Sequence, residues 1–261
     1  MSASKGGALL TTIRDLARRR GRERRGLALA EGVRLVEEAV AAGVPLRGAA
    51  VSPALEGTPR GSALKMALAG RGVPLVEVAA AELDALADTE QPQGIVAVVA
   101  PRAWTLADIP TPAGGVVLVL DAVQDPGNVG TMLRTALALG ASGVVALKGT
   151  AELANPKVLR GSMGAAFRLP AAPADAEALL EWVRTRGVEL VVAAADGEPL
   201  GRRARGGAPV ALVLGNEGAG VGPALARAAA RRVAIPLAPG VESLNVAVAA
   251  GILLYEVTRD A

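Results

Sequence analysis

The chain has 261 residues, enough for one large or two modest domains. Half of it (51%) is hydrophobic while aromatics make up only 2%, so a core is easily filled but an RNA reader built on stacked rings is excluded. It has neither cysteine nor histidine and a net charge of +3, which removes thiolate zinc sites, cysteine nucleophiles, Ser-His-Asp hydrolysis and imidazole acid–base chemistry.

Only Lys5, Lys65, Lys148 and Lys157 among the 28 basic residues are lysine, and guanidinium forks suit phosphate oxygens. Met1 to Leu10 lacks a signal-peptide apolar stretch and no run reaches a membrane span. A soluble cytoplasmic protein with no membrane and no metal partner is expected.

In chain order, the first segment opens on a basic run, Arg18, Arg19, Arg20, Arg22, Arg24 and Arg25. Neutral solvation and tracking of an RNA backbone are both compatible with it. Val33, Val36 and Val40 predict a helix over Glu31 to Ala42. Short β-like pieces follow at Ala49 to Ser52, Leu75 to Val78 and Ile95 to Ala100, separated by helical stretches near Ser62 to Ala69 and Ala80 to Ala87. This alternation predicts a small α/β domain over residues 1–100. Pro101, Pro110, Pro112 and the Gly114–Gly115 pair mark residues 101–115 as a linker.

Residues 116–261 alternate more plainly. Val116 to Leu120, Val144 to Leu147, Leu190 to Ala194, Ala211 to Leu214 and Val233 to Ile235 are continuous apolar runs, the pattern of parallel strands covered on both faces. Helices are predicted at Asn128 to Leu139, Ala176 to Arg186, Pro223 to Ala230 and Asn245 to Thr258. Ligands of open α/β sheets bind beyond the carboxyl ends of the strands, so the loops after Leu120, Leu214 and Ile235 are the places to search.

The first loop carries Asn128, expected as a helix N-cap, and Arg134 off the buried stripe of the following helix. The second, Gly215 to Pro223, holds four glycines around Asn216 and Glu217 but lacks dinucleotide spacing and a phosphate-loop lysine. The third carries Ser243 and Asn245 at the start of an apolar helix, where capping is the plain reading and a donor-rich ligand site the functional one. A fourth stretch, Asn155 to Arg168, offers Lys157, Arg160 and Ser162 as a solvated basic loop or a phosphate contact surface. Arg202, Arg203 and Arg205 form a further basic cluster without a motif.

Three loops in this order resemble the SpoU family of the SPOUT RNA 2′-O-methyltransferases. The resemblance rests on Asn128, Gly130 and Arg134; on Gly215, Asn216, Glu217 and Gly218; and on Ile235, Pro236, Ser243, Leu244 and Asn245. It runs from about Arg24 to Arg259. The first segment, through RRGLALAEGVRLVEEAV and QPQGIVAVV, is similar to the ribosomal-protein-like substrate-binding domain of many members. The resemblance implies an α/β trefoil-knot domain with a parallel sheet and a homodimer with the active site at its interface. It also implies S-adenosyl-L-methionine held by the backbone around Leu214, Gly215, Asn216, Gly218, Ile235, Leu237, Ser243, Leu244 and Asn245.

Such chemistry matches the residue types present, because alignment of a ribose oxygen with an activated methyl needs no thiol, imidazole or metal. Members of the family are described with the arginine of the first motif as general base. Arginine is effectively always protonated in proteins, so a charged Arg134 that binds the adjacent phosphate and stabilises a developing alkoxide is favoured. Asn128 would orient Arg134 or the ribose, Glu217 balance positive charge, and Ser243 and Asn245 fix cofactor and ribose. Large-subunit rRNA stands ahead of tRNA as the substrate, since the extra N-terminal domain is typical of rRNA-acting members, and a resistance-type methylase is a variant. A non-catalytic RNA-binding or ribosome-assembly factor is the alternative from another class.

Overall fold

Apolar runs and amphipathic stretches sort the chain into two sheets with helical cover. The computed structural model describes residues 3–199 and 207–258, and the Arg202, Arg203 and Arg205 cluster lies outside them. In chain order the elements are α1 (Ala3–Leu16), α2 (Arg19–Arg25), β1 (Ala28–Glu31), α3 (Val33–Ala41), β2 (Leu46–Val51), α4 (Pro59–Gly70), β3 (Leu75–Glu77), α5 (Ala80–Leu86) and β4 (Ile95–Val99). They continue with β5 (Val116–Leu120), α6 (Pro126–Ala138), β6 (Gly143–Leu147), α7 (Pro156–Ser162), α8 (Ala165–Arg168), β7 (Ala171–Ala174), α9 (Ala176–Arg186), β8 (Glu189–Pro199), β9 (Val210–Leu214), α10 (Pro223–Ala228), β10 (Arg231–Ala234) and α11 (Val246–Thr258). No described helix is long and apolar enough to cross a membrane.

One compact unit takes the chain up to Ala103 together with Ala154–Phe167. Its sheet runs β1-β4-β2-β3, with β4 antiparallel to both β1 and β2 and β3 parallel to β2. Alternate side chains leave a strand on opposite faces. Ala28, Ala30, Ala49, Val51, Ile95, Ala97 and Val99 therefore face Leu35 and Val36 of α3 and Leu64 and Leu68 of α4. Leu29, Ala50, Val96 and Val98 face the other way, onto Ile13 and Leu16 of α1 and Leu83 and Leu86 of α5. Leu159 of α7 and Phe167 of α8 complete the first of these cores, so the Asn155 to Arg168 stretch is a pair of short packed helices and not a solvated loop.

The other unit comprises Trp104–Leu153 and Arg168 onward. Its sheet is ordered β10-β8-β9-β5-β6-β7, and every neighbouring pair is parallel. The central strands VVLVL (β5) and VALVL (β9) are buried at every position, as two-sided cover requires. From β5 the chain steps outward to β6 and β7, while β9 leads to β10 at the opposite edge. The β5/β9 boundary is thus the switch point at which open α/β sheets bind ligands. The loops after β5, β9 and β10 leave from the carboxyl ends of their strands.

Candidate active site

Two strand ends are laced together first. The Asp121 amide donates to the Leu214 carbonyl at 2.8 Å, and the Asp121 carboxylate accepts the Gly222 amide at 2.7 Å. Asn216 then folds the glycine-rich loop on itself. Its Oδ1 accepts the amides of Gly218 and Ala219 at 2.9 and 3.0 Å, and its Nδ2 donates to the Ala122 carbonyl at 3.0 Å. Asn216 and Gly220 pair as an isolated bridge. A Cβ on Gly215 would stand 2.2 Å from the Gly220 carbonyl carbon, so only glycine permits this turn. Asn216 is therefore a backbone staple of the loop, and Glu217 at its tip remains exposed.

The N-cap of α6 is Asp125, three residues before the expected Asn128: its Oδ1 accepts the Asn128 amide at 2.8 Å, and Pro126 occupies the first turn. This leaves the Asn128 side chain to bridge the loops. Its Nδ2 donates to Glu217 Oε1 at 2.8 Å, and its Oδ1 accepts from Asn245 Nδ2 at 3.1 Å. Asn245 Oδ1 in turn caps α11 by accepting the Ala247 amide at 2.9 Å. Asn128 in the first turn of α6, Glu217 in the loop after β9 and Asn245 just before α11 thus form one hydrogen-bonded chain.

Arg134 sits six residues further along α6, about 9 Å down the helix axis from Asn128. It is exposed, and its guanidinium has no hydrogen-bond or ion-pair partner among the described residues.

Beside the Glu217 end of the chain lies a cleft of about 190 Å³. It is lined by Leu214, Gly215, Asn216, Glu217, Ile235, Leu237, Ser243 and Leu244, with Ala193 to Ala195 and Leu253 as its apolar walls. Ser243 and Leu244 are thereby brought to the same cavity as Glu217. Gly218, Asn128, Asn245 and Arg134 do not line it. Glu242 does, and the sequence reading missed it: only its position next to Ser243 signals it. Asp121 and Asp125 were also missed, although a carboxylate just after a buried strand and one just before a Pro-Gly helix start were visible.

The basic run of the first unit divides differently from its sequence. Arg22 is buried and donates to the Leu16 and Ala17 carbonyls at 2.9 and 3.1 Å, which removes it from any phosphate surface. Arg24 and Arg25 both pair with Asp15, and the Arg25 hydrogen bond, helped by Arg24, holds that carboxyl below its ordinary range. Arg19 pairs with Glu23, while Arg18 and Arg20 are exposed.

In α7, Ser162 is fully buried and donates to the Leu159 carbonyl, so it is a packing residue and no RNA contact. Arg160 is bound to the buried carboxylate of Glu31 at 3.3 Å and to Asp88 at 2.6 Å. Lys157 is exposed.

Family models, relatives and solved structures all lead to RNA methyltransferases. The SpoU rRNA Methylase family model matches residues 115–255, and the MRM3-like substrate binding domain matches residues 10–97. A Synechocystis protein named as an uncharacterized tRNA/rRNA methyltransferase is 33% identical over 253 residues, spanning 97% of this chain and 91% of the relative. The Bacillus subtilis 23S rRNA (guanosine(2553)-2′-O)-methyltransferase RlmP is 41% identical over 172 residues, 66% of this chain and 67% of its own. The crystal structure of the AdoMet-bound rRNA methyltransferase from Sinorhizobium meliloti superposes with a TM-score of 0.84 at 32% identity, covering 96% of this chain and 94% of that one. With an α/β parallel-sheet unit, three strand-end loops joined by Asn128 and this breadth of similarity, the chain belongs to the SpoU family of RNA methyltransferases.

Proposed function

We propose that this protein transfers the methyl group of S-adenosyl-L-methionine to a ribose 2′-hydroxyl of large-subunit ribosomal RNA. The observation that carries the reading is the Glu217–Asn128–Asn245 chain, which ties all three motif loops together at the edge of the cleft. The lining fits the cofactor chemically. Among the described residues two carboxylates, Glu217 and Glu242, and no basic side chain line it, which suits a sulfonium and opposes a nucleotide polyphosphate. Leu214, Ile235, Leu237 and Leu244 supply apolar surface for the adenosine, as small-molecule sites do.

When bound, S-adenosyl-L-methionine supplies a methyl whose leaving group needs no acid. The protein's task is then alignment and charge. Asn128 fixes Glu217 on one side and Asn245 on the other, so the cofactor loop and the start of α11 hold one geometry. Ser243 and Asn245 position cofactor and ribose. Arg134, charged and without a partner among the described residues, binds the phosphate beside the target ribose and stabilises the developing 2′-alkoxide. The hydroxyl proton leaves to water.

The remaining parts of the reading are of the same kind. The unit built from the chain up to Ala103 and from Ala154–Phe167 binds the RNA substrate; the expected linker from 101 to 115 instead packs Ile109 into the second unit's core, and that unit, Trp104–Leu153 with Arg168 onward, is the methyltransferase domain, threaded as a trefoil knot. A homodimer forms through α11, where Val248, Ile252 and Tyr255 present an exposed apolar stripe at helical spacing. The protein works in the cytoplasm, where ribosomal RNA is modified.

The test is a map of 2′-O-methyl sites in total RNA from a deletion strain and its parent, followed by methylation of the identified transcript with purified protein. Loss of one ribose methyl in large-subunit rRNA is expected. Loss confined to tRNA would replace the substrate, and an unchanged map with no transfer in vitro would leave a non-catalytic RNA-binding protein.

A further inference from the structure

We infer that the cleft discriminates charge: Glu217 and Glu242 hold the cationic methyl donor more tightly than the demethylated product, so that transfer itself loosens the spent cofactor. This rests on the reading that S-adenosyl-L-methionine occupies the cleft. Both carboxylates line it, both are exposed, and neither is paired with a basic side chain among the described residues. Among the described residues, the one polar partner of Glu217 is the neutral amide of Asn128, and Glu242 has none. Among the described residues, therefore, nothing cancels the charge of the two carboxylates. The nearest motif cation, Arg134, is not among the lining residues.

The two ligands differ in a way this field can read. The donor carries a sulfonium, an ammonium and a carboxylate, for a net charge of +1. When the C–S bond breaks with its electron pair left on sulfur, and the methyl carbon bonds to the 2′-oxygen, the product keeps only ammonium and carboxylate and is neutral overall. The difference is one positive charge at sulfur, plus a methyl. Attraction between exposed groups is screened, so the preference is a modest factor: about three- to tenfold at low ionic strength, shrinking as salt is added.

Calorimetric titration of the full-length protein with S-adenosylmethionine and with S-adenosylhomocysteine, at low and high salt, tests it. The wild type should favour the donor at low salt and lose part of that preference at high salt. Glu242→Gln should reduce the donor-to-product ratio about three- to tenfold through weaker donor binding, with product affinity moving less than about twofold, and Glu242→Asp should keep the ratio. A ratio unmoved by Glu242→Gln and by salt overturns the inference. So does equal weakening of both ligands, which would put the carboxylate on the ammonium they share. If the wild type binds neither molecule, the cofactor reading fails first and this inference falls with it; that result is distinct from an unchanged ratio.

Discussion

Asn128 and Glu217 lie 89 residues apart in the chain, and the amide nitrogen of the first donates to the carboxylate of the second at 2.8 Å. The contact joins the loop after β5 to the loop after β9 across the switch point of the sheet. Because Asn128 accepts from Asn245 with its other amide atom, one side chain sets the spacing of three loops.

Asn128→Ala therefore removes two contacts at once. It should lower kcat about 10- to 100-fold through misalignment while the thermal midpoint moves little, since the groups involved are partly exposed. Asn128→Asp should be worse, because it sets a second carboxylate against Glu217. Single-turnover methylation alongside a melting curve checks both; full activity in Asn128→Ala would show that the bridge plays no part in alignment.

Arg134 has no partner among the described residues, so its replacement should leave the fold and the cofactor cleft intact. Arg134→Ala is expected to cut kcat/KM by about 10² to 10³ or more, with cofactor affinity unchanged in calorimetry. Arg134→Lys should recover a fraction, having the charge without the planar fork. Loss of cofactor binding in Arg134→Ala would show a structural residue instead.

The arginines of the first unit should separate by role. Arg160→Ala breaks a pair with the buried Glu31, and an unfolding experiment should show a loss of about 1–3 kcal/mol, discounted because Arg160 is itself partly exposed. Arg18→Ala and Arg20→Ala should leave stability unchanged but flatten the salt dependence of RNA binding by up to about one unit of slope each. The reverse assignment would return Arg160 to the RNA surface.

Ile252→Asp places a charge in the exposed stripe of α11, where Val248 is 51% and Tyr255 54% exposed. Light scattering should find a dimer in the wild type and a monomer in the variant, with methylation lost alongside. A monomeric wild type would remove the stripe from the interface.

Much of the catalytic unit was legible because continuous apolar runs and helix periodicity survive any tertiary context. The runs at Val116 to Leu120 and Ala211 to Leu214 are strands in the structure, and Ala176 to Arg186 is a helix. Where the signal was weak, the reading failed. β1 (ALAE) and β7 (AAPA) are short and alanine-rich, with no β-branched residue to mark them, and α1 was not anticipated.

The motif residues could be located from the sequence, but their partners could not. Asn128 looked like a cap because it precedes an apolar stripe, yet Asp125 with Pro126 behind it takes the cap. The bonds that then occupy Asn128 span 89 and 117 residues and follow from strand order alone. The basic run failed for a related reason: charge can be counted in a sequence, but pairing and burial, as at Arg22 and Asp15, cannot.

The first unit draws Leu159 and Phe167 into its core from well beyond the proline-rich seam. A fragment ending at that seam would expose the hydrophobic seat of both residues and leave Glu31 without its guanidinium. Grafting a foreign reader in front of this methyltransferase, or moving this reader elsewhere, accordingly requires exchanging two stretches of sequence together, and a one-junction chimera should be insoluble.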